Sequence, residues 1–236
     1  MTYSVDMVLA NIQNSIWSVL LGGAVIFVGY YLYYGESIRL GFRDETHTVP
    51  VFANMYFFAH DVFFLALFQR WFFEIDHWLY RAFWFGLVIF TGLECVVHYQ
   101  TLRYSQQDLF PRLNRRQYLI AYAGMQLAVG VLFWFIHTQI ADYLFLISFA
   151  STIVVSVAFM LPQLCARASQ KGQSRLLSAS LIISPIGFFF LFLPAMSSYF
   201  ASLPYILLGI TTVIVAVIYA WCLPRYPAYT PQSKSE

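Results

Sequence analysis

Residues 203–223 read LPYILLGITTVIVAVIYAWCL, a run of 21 residues without a charged side chain. A helix needs about 20 apolar residues to cross the hydrocarbon core of a bilayer, so this stretch alone predicts a transmembrane helix. Six further stretches of the same kind precede it. The seven predicted spans are Ile16–Tyr34, Val49–Phe68, Leu79–His98, Tyr118–Ile136, Tyr143–Pro162, Leu176–Ala195 and Leu203–Leu223.

The composition agrees with a membrane protein. Of the 236 residues 60% are hydrophobic and only 10% are charged, and the mean hydropathy is +0.67. A soluble domain is roughly 25% charged. Nearly every residue lies in or between spans, so we expect one all-α transmembrane domain over residues 1–236, with 226–236 as a disordered tail. The net charge of +2 implies neither nucleic acid nor an acidic partner.

The basic residues predict the orientation. Of the 13 Lys and Arg residues, eleven follow spans 1, 3 and 5 or lie in the C-terminal tail, and only Arg70 and Arg81 lie on the other side. Cytoplasmic loops carry an excess of Lys and Arg. This predicts seven crossings with the N-terminus outside and the C-terminus in the cytoplasm. The host membrane would be the endoplasmic reticulum in a eukaryote or the inner membrane in a bacterium.

Few ionisable groups lie inside the predicted spans. Asp61, next to His60, is about twelve residues into span 2, near mid-bilayer at ~1.5 Å per residue. Glu94 lies in span 3, one turn from His98, and Asn54 shares a helix face with Asp61. An ionisable residue in a span is a functional candidate by default. The plainer interpretations remain open: Asp61 as a polar contact between helices, Glu94 as a group reaching the interface, and His98 as an interface residue.

Several seven-helix classes are excluded by single residues. A retinal protein needs a lysine in its last span, but Lys171 and Lys234 both lie outside spans. The five histidines are too scattered for a membrane di-iron centre. We therefore expect no metal site and no cofactor. Pro50, Pro185 and Pro204 are expected to kink or open their spans.

Two segments resemble a known family. The first is Phe42-Arg43-Asp44 with Thr46, which runs without a gap to Asp61. The second is Gln163-Leu164, Arg167, Ser169, Gly172 and Ser174. Both are similar to the small seven-helix integral-membrane terpene cyclases of meroterpenoid biosynthesis, of the pyripyropene and paxilline type. Length, number of spans and topology agree, so the resemblance covers essentially the whole chain.

The resemblance implies an acid-initiated cyclisation of a prenylated or epoxyprenylated hydrophobic molecule, by a lyase or isomerase of secondary metabolism. A carboxylic acid protonates an epoxide or an alkene, and double bonds capture the resulting carbocation. Asp61 carries over by position as the acid, and an apolar cavity favours the neutral form that an acid needs. The 24 Phe, 17 Tyr and 6 Trp would supply rings that stabilise cations. The expected cavity residues besides the acids are Asn54, Tyr56, His60, Trp84, His98, Tyr122, Gln126 and Tyr219.

Two departures from the family bear on the site. The family's Trp-Glu pair is His60-Asp61 in this chain, and the adjacent imidazole is expected to be neutral or turned away. The family's second acid, in the last span, corresponds to Val213. Glu94 is the residue that could replace it, and in that case both acids must face one cavity. An alkene isomerisation, a shorter cyclisation or a non-catalytic relative are the other outcomes.

A different class remains as the alternative. Pro162-Gln163 is similar to the dipeptide of PQ-loop carriers, which are seven-helix transporters of sugars or amino acids. Such carriers usually have a second Pro-Gln in their first span, and span 1 has none. In a carrier, Asp61 would be a proton-coupling site.

Overall fold

Helices account for nearly all of the regular structure. The computed structural model describes residues 3–230, and no β-strand occurs among them. In chain order the helices are α1 (Val5–Asn14), α2 (Ile16–Arg43), α3 (Val51–Ala66), α4 (Trp78–Tyr104), α5 (Gln106–Leu109), α6 (Arg115–Ile140), α7 (Leu146–Ala158), α8 (Met160–Arg167), α9 (Arg175–Ile186), α10 (Leu193–Met196) and α11 (Leu203–Cys222). Two π-helical segments, Arg70–Glu74 and Gly187–Phe192, and two 3₁₀ turns, Ser198–Ala201 and Leu223–Arg225, complete the chain.

Six helical stretches in residues 3–230 are long and apolar enough to cross a bilayer. They are Ile16–Arg43, Trp78–Tyr104, Arg115–Ile140, Leu146–Arg167, Arg175–Met196 and Leu203–Arg225. Their positions match six of the seven predicted spans, although most extend further at one or both ends. The chain is therefore an all-helical, multi-pass membrane protein.

The predicted second span, Val49–Phe68, forms a shorter helix. Helix α3 begins at Val51 because Pro50 has extended backbone angles, and it ends at Ala66 because Leu67 leaves the helical region. Its 16 residues span about 24 Å, short of the roughly 20-residue length of a full crossing. Helix α3 packs against α4, α6 and α7, so it lies inside the bundle.

Of the three prolines expected to distort spans, only one lies inside a helix. Pro50 precedes α3 and Pro204 lies in the first turn of α11, where a missing N–H costs little. Only Pro185 lies inside a helix, α9, and the π-helical segment Gly187–Phe192 follows it directly. Proline removes a backbone hydrogen bond, and a π turn is one way the helix adjusts.

The two ends of the chain contact other parts of the bundle. Helix α1, which the sequence reasoning did not anticipate, packs against α2 and α10. In the predicted tail, residues 226–230 have no regular secondary structure. The carbonyl groups of Tyr226 and Pro227 accept hydrogen bonds from the side chain and the backbone N–H of Gln170, respectively. Residues 231–236 of that tail lie outside the described residues.

The two sequence segments that carry the family resemblance meet at one end of the bundle. The backbone N–H of Gly172 donates to Asp44 Oδ2 over 2.8 Å, and Arg43 donates to the same carboxylate. Gly172 has a φ of +69°, and a Cβ atom there would lie 2.8 Å from Thr46 Cγ2. Glycine is therefore required at this position both by conformation and by space.

A second set of contacts fastens the start of α3 to the end of α8. Gln163 Nε2 donates to the Thr48 carbonyl over 2.7 Å, and Arg167 Nη2 donates to the His47 carbonyl over 2.5 Å. Burial, followed by the positive charges of Arg167 and Lys171, lowers the pKa of His47 well below its ordinary value of 6.5. His47 is therefore neutral at neutral pH. Gln163, the glutamine of the Pro-Gln dipeptide, thus connects α8 to the segment that precedes α3.

Replacing Gly172 with alanine should destabilise the fold. A left-handed backbone costs a non-glycine residue about 1–2 kcal/mol, and the contact with Thr46 adds to that cost. We expect a clearly lower melting temperature in detergent for Gly172→Ala. Gly124→Ala is the control, because Gly124 lies in α6 with nothing within 4 Å of a Cβ atom. Equal melting temperatures for the two variants would contradict this account of the loop.

Candidate functional site

A cavity lies among α2, α3, α4 and α7. Its free volume is about 50 Å³, room for only a few water molecules. Ligand-binding pockets are typically 300–1,000 Å³, so a larger molecule would fit only if the lining side chains moved. Its lining residues are Gly23, Ile26, Phe27, Tyr30 and Tyr34 of α2, Phe57 and Asp61 of α3, Phe83, Leu87, Phe90 and Glu94 of α4, Phe149 and Thr152 of α7, and Phe192 of the π-helical segment.

Helical periodicity brings these side chains to one place. On α2 the lining positions are 23, 26, 27, 30 and 34, and on α4 they are 83, 87, 90 and 94. Steps of three and four residues keep side chains on one helix face. Each of these two helices therefore presents one largely aromatic face to the cavity. On each helix the last lining residue towards the C-terminal end carries a polar group, Tyr34 on α2 and Glu94 on α4.

The wall is mostly aromatic. Six phenylalanine and two tyrosine rings line the cavity. The Phe90 ring is central among them, with centroid distances of 6.0 Å to Phe27 and 5.6 Å to Tyr34. Among the lining side chains, the polar groups are only two carboxyls, two phenols and one threonine hydroxyl. The site thus combines an apolar, ring-lined volume with very few groups that can move a proton.

Asp61 is the first of the two carboxyl groups. Its side chain is buried, and Oδ1 lies 2.7 Å from His60 Nδ1. The imidazole lies among the rings of Phe133, Phe145 and Phe149, at centroid distances of 5.7, 5.7 and 5.1 Å. The expectation that the His60 ring turns away from Asp61 is wrong, because the ring is held against the carboxyl group.

Glu94 is the second carboxyl group, and it is 1% exposed. The hydroxyl of Tyr34 donates to Oε1 over 2.9 Å, while Oε2 has no hydrogen-bond partner among residues 3–230. Asn54 Nδ2 lies 3.4 Å from the Glu94 backbone carbonyl, which ties α3 to α4 at this level. The two acids line the same cavity without a hydrogen bond between them in the described part of the chain.

The eight side chains predicted to surround the acids lie outside the lining. Asn54 and His60 lie directly behind it, bonded to Glu94 and Asp61 as described. The remaining hydrogen bonds join Tyr56 Oη and Ser151 Oγ, Trp84 Nε1 and the Leu65 carbonyl, His98 Nδ1 and Tyr122 Oη, Gln126 Nε2 and the Met55 carbonyl, and Tyr219 Oη and Gln173 Oε1. These polar groups thus join separate parts of the bundle and do not face the cavity.

Sequence reasoning missed the two tyrosines of the site. Tyr30 and Tyr34 lie one turn apart in the first predicted span, and the hydroxyl of Tyr30 donates to Ser156 Oγ of α7 over 3.2 Å. Their spacing of four, continued backwards in steps of three and four to Phe27 and Gly23, is the signal that could have identified this face. The last long helix, α11, which includes Val213, contributes no side chain to the lining.

The surroundings of the site give no further assignment. Groups of three or more His, Cys, Asp or Glu side chains placed to hold a metal ion do not occur in the part of the chain that the structure describes. Compared with family models, with curated proteins and with solved structures, the chain matches none of them. The cavity and the residues that line it are therefore the features from which a function can be inferred.

Removing the Tyr34 hydroxyl should cost stability. Tyr34→Phe leaves Glu94 Oε1 buried without its donor, and such a loss typically costs about 1–3 kcal/mol. The adjacent Tyr33 is a matched control, because its buried hydroxyl has no partner among the described residues. We expect a lower melting temperature in detergent for Tyr34→Phe and an unchanged or higher one for Tyr33→Phe. The reverse order would show that the Tyr34–Glu94 contact does not stabilise the bundle.

Proposed function

We propose that the chain crosses the membrane seven times, with the N-terminus outside and the C-terminus in the cytoplasm. The seventh crossing would be α3 together with the helical residues 68–74 that follow its break at Leu67. These residues lengthen the helical segment to residues 51–74, which is long enough for a tilted span. The distribution of Lys and Arg supports this orientation. The host membrane would be the endoplasmic reticulum or, in a bacterium, the inner membrane.

Reporter fusions test this topology. A reporter after Glu236 should be cytoplasmic, and one before Met1 should be outside, because seven crossings place the termini on opposite sides. A glycan acceptor introduced near Asn114 should stay unmodified in microsomes, since the neighbouring loop carries several arginines. Six crossings would instead place both termini on one side, and glycosylation near Asn114 would reverse the orientation.

We further propose that the protein is a membrane-bound terpene cyclase, or a related isomerase, that acts on a prenylated hydrophobic substrate. The observation that carries this proposal is the presence of two carboxyl groups, Asp61 and Glu94, in one aromatic-lined cavity among the long helices. A buried carboxyl group in a span is costly, and a cavity with two of them suits proton transfer to an apolar molecule. The resemblance of the two loop segments to membrane terpene cyclases points the same way.

Asp61 is assigned as the proton donor. Its acid proton passes to the epoxide oxygen of the substrate, the C–O bond opens to a tertiary carbocation and a hydroxyl group, and successive double bonds form new C–C bonds. With an alkene, the proton adds to carbon instead. Glu94 is assigned as the acceptor of the proton that the final cation releases. The proton returns to Asp61 before the next turnover, so the reaction is a net isomerisation.

His60 is assigned as a positioning residue. Its Nδ1 holds Oδ1 of Asp61 at 2.7 Å, which leaves Oδ2 to carry the transferable proton. The phenylalanine rings around the cavity would face the developing positive charge, and ring faces attract cations by about 0.5–2 kcal/mol each. They also exclude water, which would otherwise capture the carbocation.

Asp61→Asn should abolish product formation. Asparagine keeps the shape and most hydrogen bonds of the side chain but has no acidic proton to donate. The variant should be expressed and melt like the wild type. Asp61→Glu keeps the acid and should retain measurable activity. Both are assayed in microsomes fed a panel of prenylated and epoxyprenylated aromatics, with products detected as chromatographic shifts without a change in mass.

Two outcomes would count against the cyclase. Near wild-type cyclisation by Asp61→Asn would remove Asp61 from the chemistry. Accumulation of an unchanged polar solute in sealed vesicles, lost in Asp61→Asn, would favour the proton-coupled carrier, in which Asp61 would bind and release protons during transport.

A further inference from the structure

The cavity has no wall made of loop residues. All of its lining residues belong to α2, α3, α4, α7 and the π-helical segment after α9. Four of these elements lie within the long membrane-spanning stretches, and α3 lies inside the bundle. The walls of the cavity are therefore formed by helical segments alone.

The contact between α2 and α4, here called the seam, is held by hydrogen bonds in the half nearer the C-terminal ends of both helices. Tyr34 bonds Glu94, and Gln100 Nε2 donates to the Ile38 carbonyl over 2.8 Å. At Gly41 a Cβ atom would lie 2.4 Å from Gln100 Oε1, so the two helices are in close contact there. Separating this half would break buried polar contacts, which is costly where water is excluded.

The other half of the seam is closed by rings alone. Phe27 of α2 lies 5.9 Å from Phe83 of α4, and Tyr31 lies 4.8 Å from Phe90, as ring centroid distances. No hydrogen bond joins α2 and α4 here among the described residues. Phe27 and Phe83 line the cavity and are only partly buried. Opening this half of the seam would therefore move rings rather than break hydrogen bonds between the described residues of α2 and α4.

The Phe27 ring packs directly against Gly86. A Cβ atom at Gly86 would lie 3.2 Å from Cε1 of Phe27, which is closer than ordinary contact. A larger side chain at this position would crowd the ring. Gly92, six residues further along α4, has nothing within 4 Å of a Cβ atom.

We infer that a long apolar chain enters the cavity from the bilayer between α2 and α4, with Phe27 and Phe83 as the rings that move aside. Asp61 lies on α3, which does not form the seam, so the reacting end of the chain passes between the helices first. The head group follows and stays at the seam. This inference rests on the proposed function for the identity of the reacting end, and it defines the substrate as a prenyl chain with its polar group at the opposite end.

Two photoreactive farnesols test this route on the full chain in phosphatidylcholine vesicles. One carries a diazirine at the distal end of its chain, and the other carries it next to the alcohol. After irradiation, mass spectrometry should place the distal label on α3 near Phe57 and the alcohol-end label on the α2/α4 seam. The opposite distribution, or labels at the ends of the helices, would overturn the inference.

Substitutions at the seam give the matched comparison. Gly86→Leu should reduce distal labelling at least fivefold, and Gly92→Leu should stay within twofold of the wild type. Phe27→Ala alone should raise labelling, and adding it to Gly86→Leu should restore labelling by vacating the space. Wild-type labelling of Gly86→Leu, or no rise with Phe27→Ala, would contradict the route even if either variant were less stable.

The labelling requires no turnover, so it separates the two proposals. Correct labelling without cyclisation of any substrate would leave the route standing and reject the cyclase. Cyclisation that depends on Asp61, together with labelling unaffected by Gly86→Leu, would keep the cyclase and reject the route.

Discussion

The hydrocarbon core of a membrane offers no water to a carboxyl group, and this constraint governs the interior of the bundle. Every polar atom placed there needs a partner from the chain or carries a cost of several kcal/mol. Glu94 meets the constraint for one oxygen through Tyr34, and Asp61 meets it through His60. Each acid thus brings a second polar residue into the bundle with it. Such groups are tolerated in spans mainly where they act on a ligand, a proton or a neighbouring helix.

The same constraint explains why α3 can be short. A helix in contact with lipid along its length needs apolar side chains on that face, whereas α3 is surrounded by α4, α6 and α7. Its polar residues Asn54 and Asp61 therefore point to protein and cavity rather than to lipid. The loop contacts made by Asp44, Gln163 and Gly172 hold the start of α3 in place, so the depth of Asp61 depends on that end of the bundle.

Hydropathy predicted the long helices well because a continuous apolar run has one physical interpretation at this length. It failed at the ends of α3, where Pro50 and Leu67 stop the helix, and it gave no signal for α1. The two acids were found because charge in a span is rare. Their neighbours were not, because polar residues such as Tyr122 and Gln126 can bond between helices as well as face a cavity. Which face of a helix meets which neighbour is a tertiary property, and the sequence of one helix does not contain it.

The partners of the two acids suggest different roles for them. A tyrosine hydroxyl donates to Glu94, an arrangement suited to a group that receives a proton, because a donated hydrogen bond stabilises the charge that remains on the carboxylate between turnovers. The imidazole beside Asp61 can donate or accept, depending on its tautomer, so it can hold the carboxyl group both before and after the proton has left. Aspartate is one methylene shorter than the glutamate of the cyclases that the sequence resembles, so in the proposed function a partner that fixes its orientation becomes more important. In this proposal the pair His60-Asp61 acts as one unit: the imidazole sets the direction of the acid, and the cavity supplies the molecule that takes its proton.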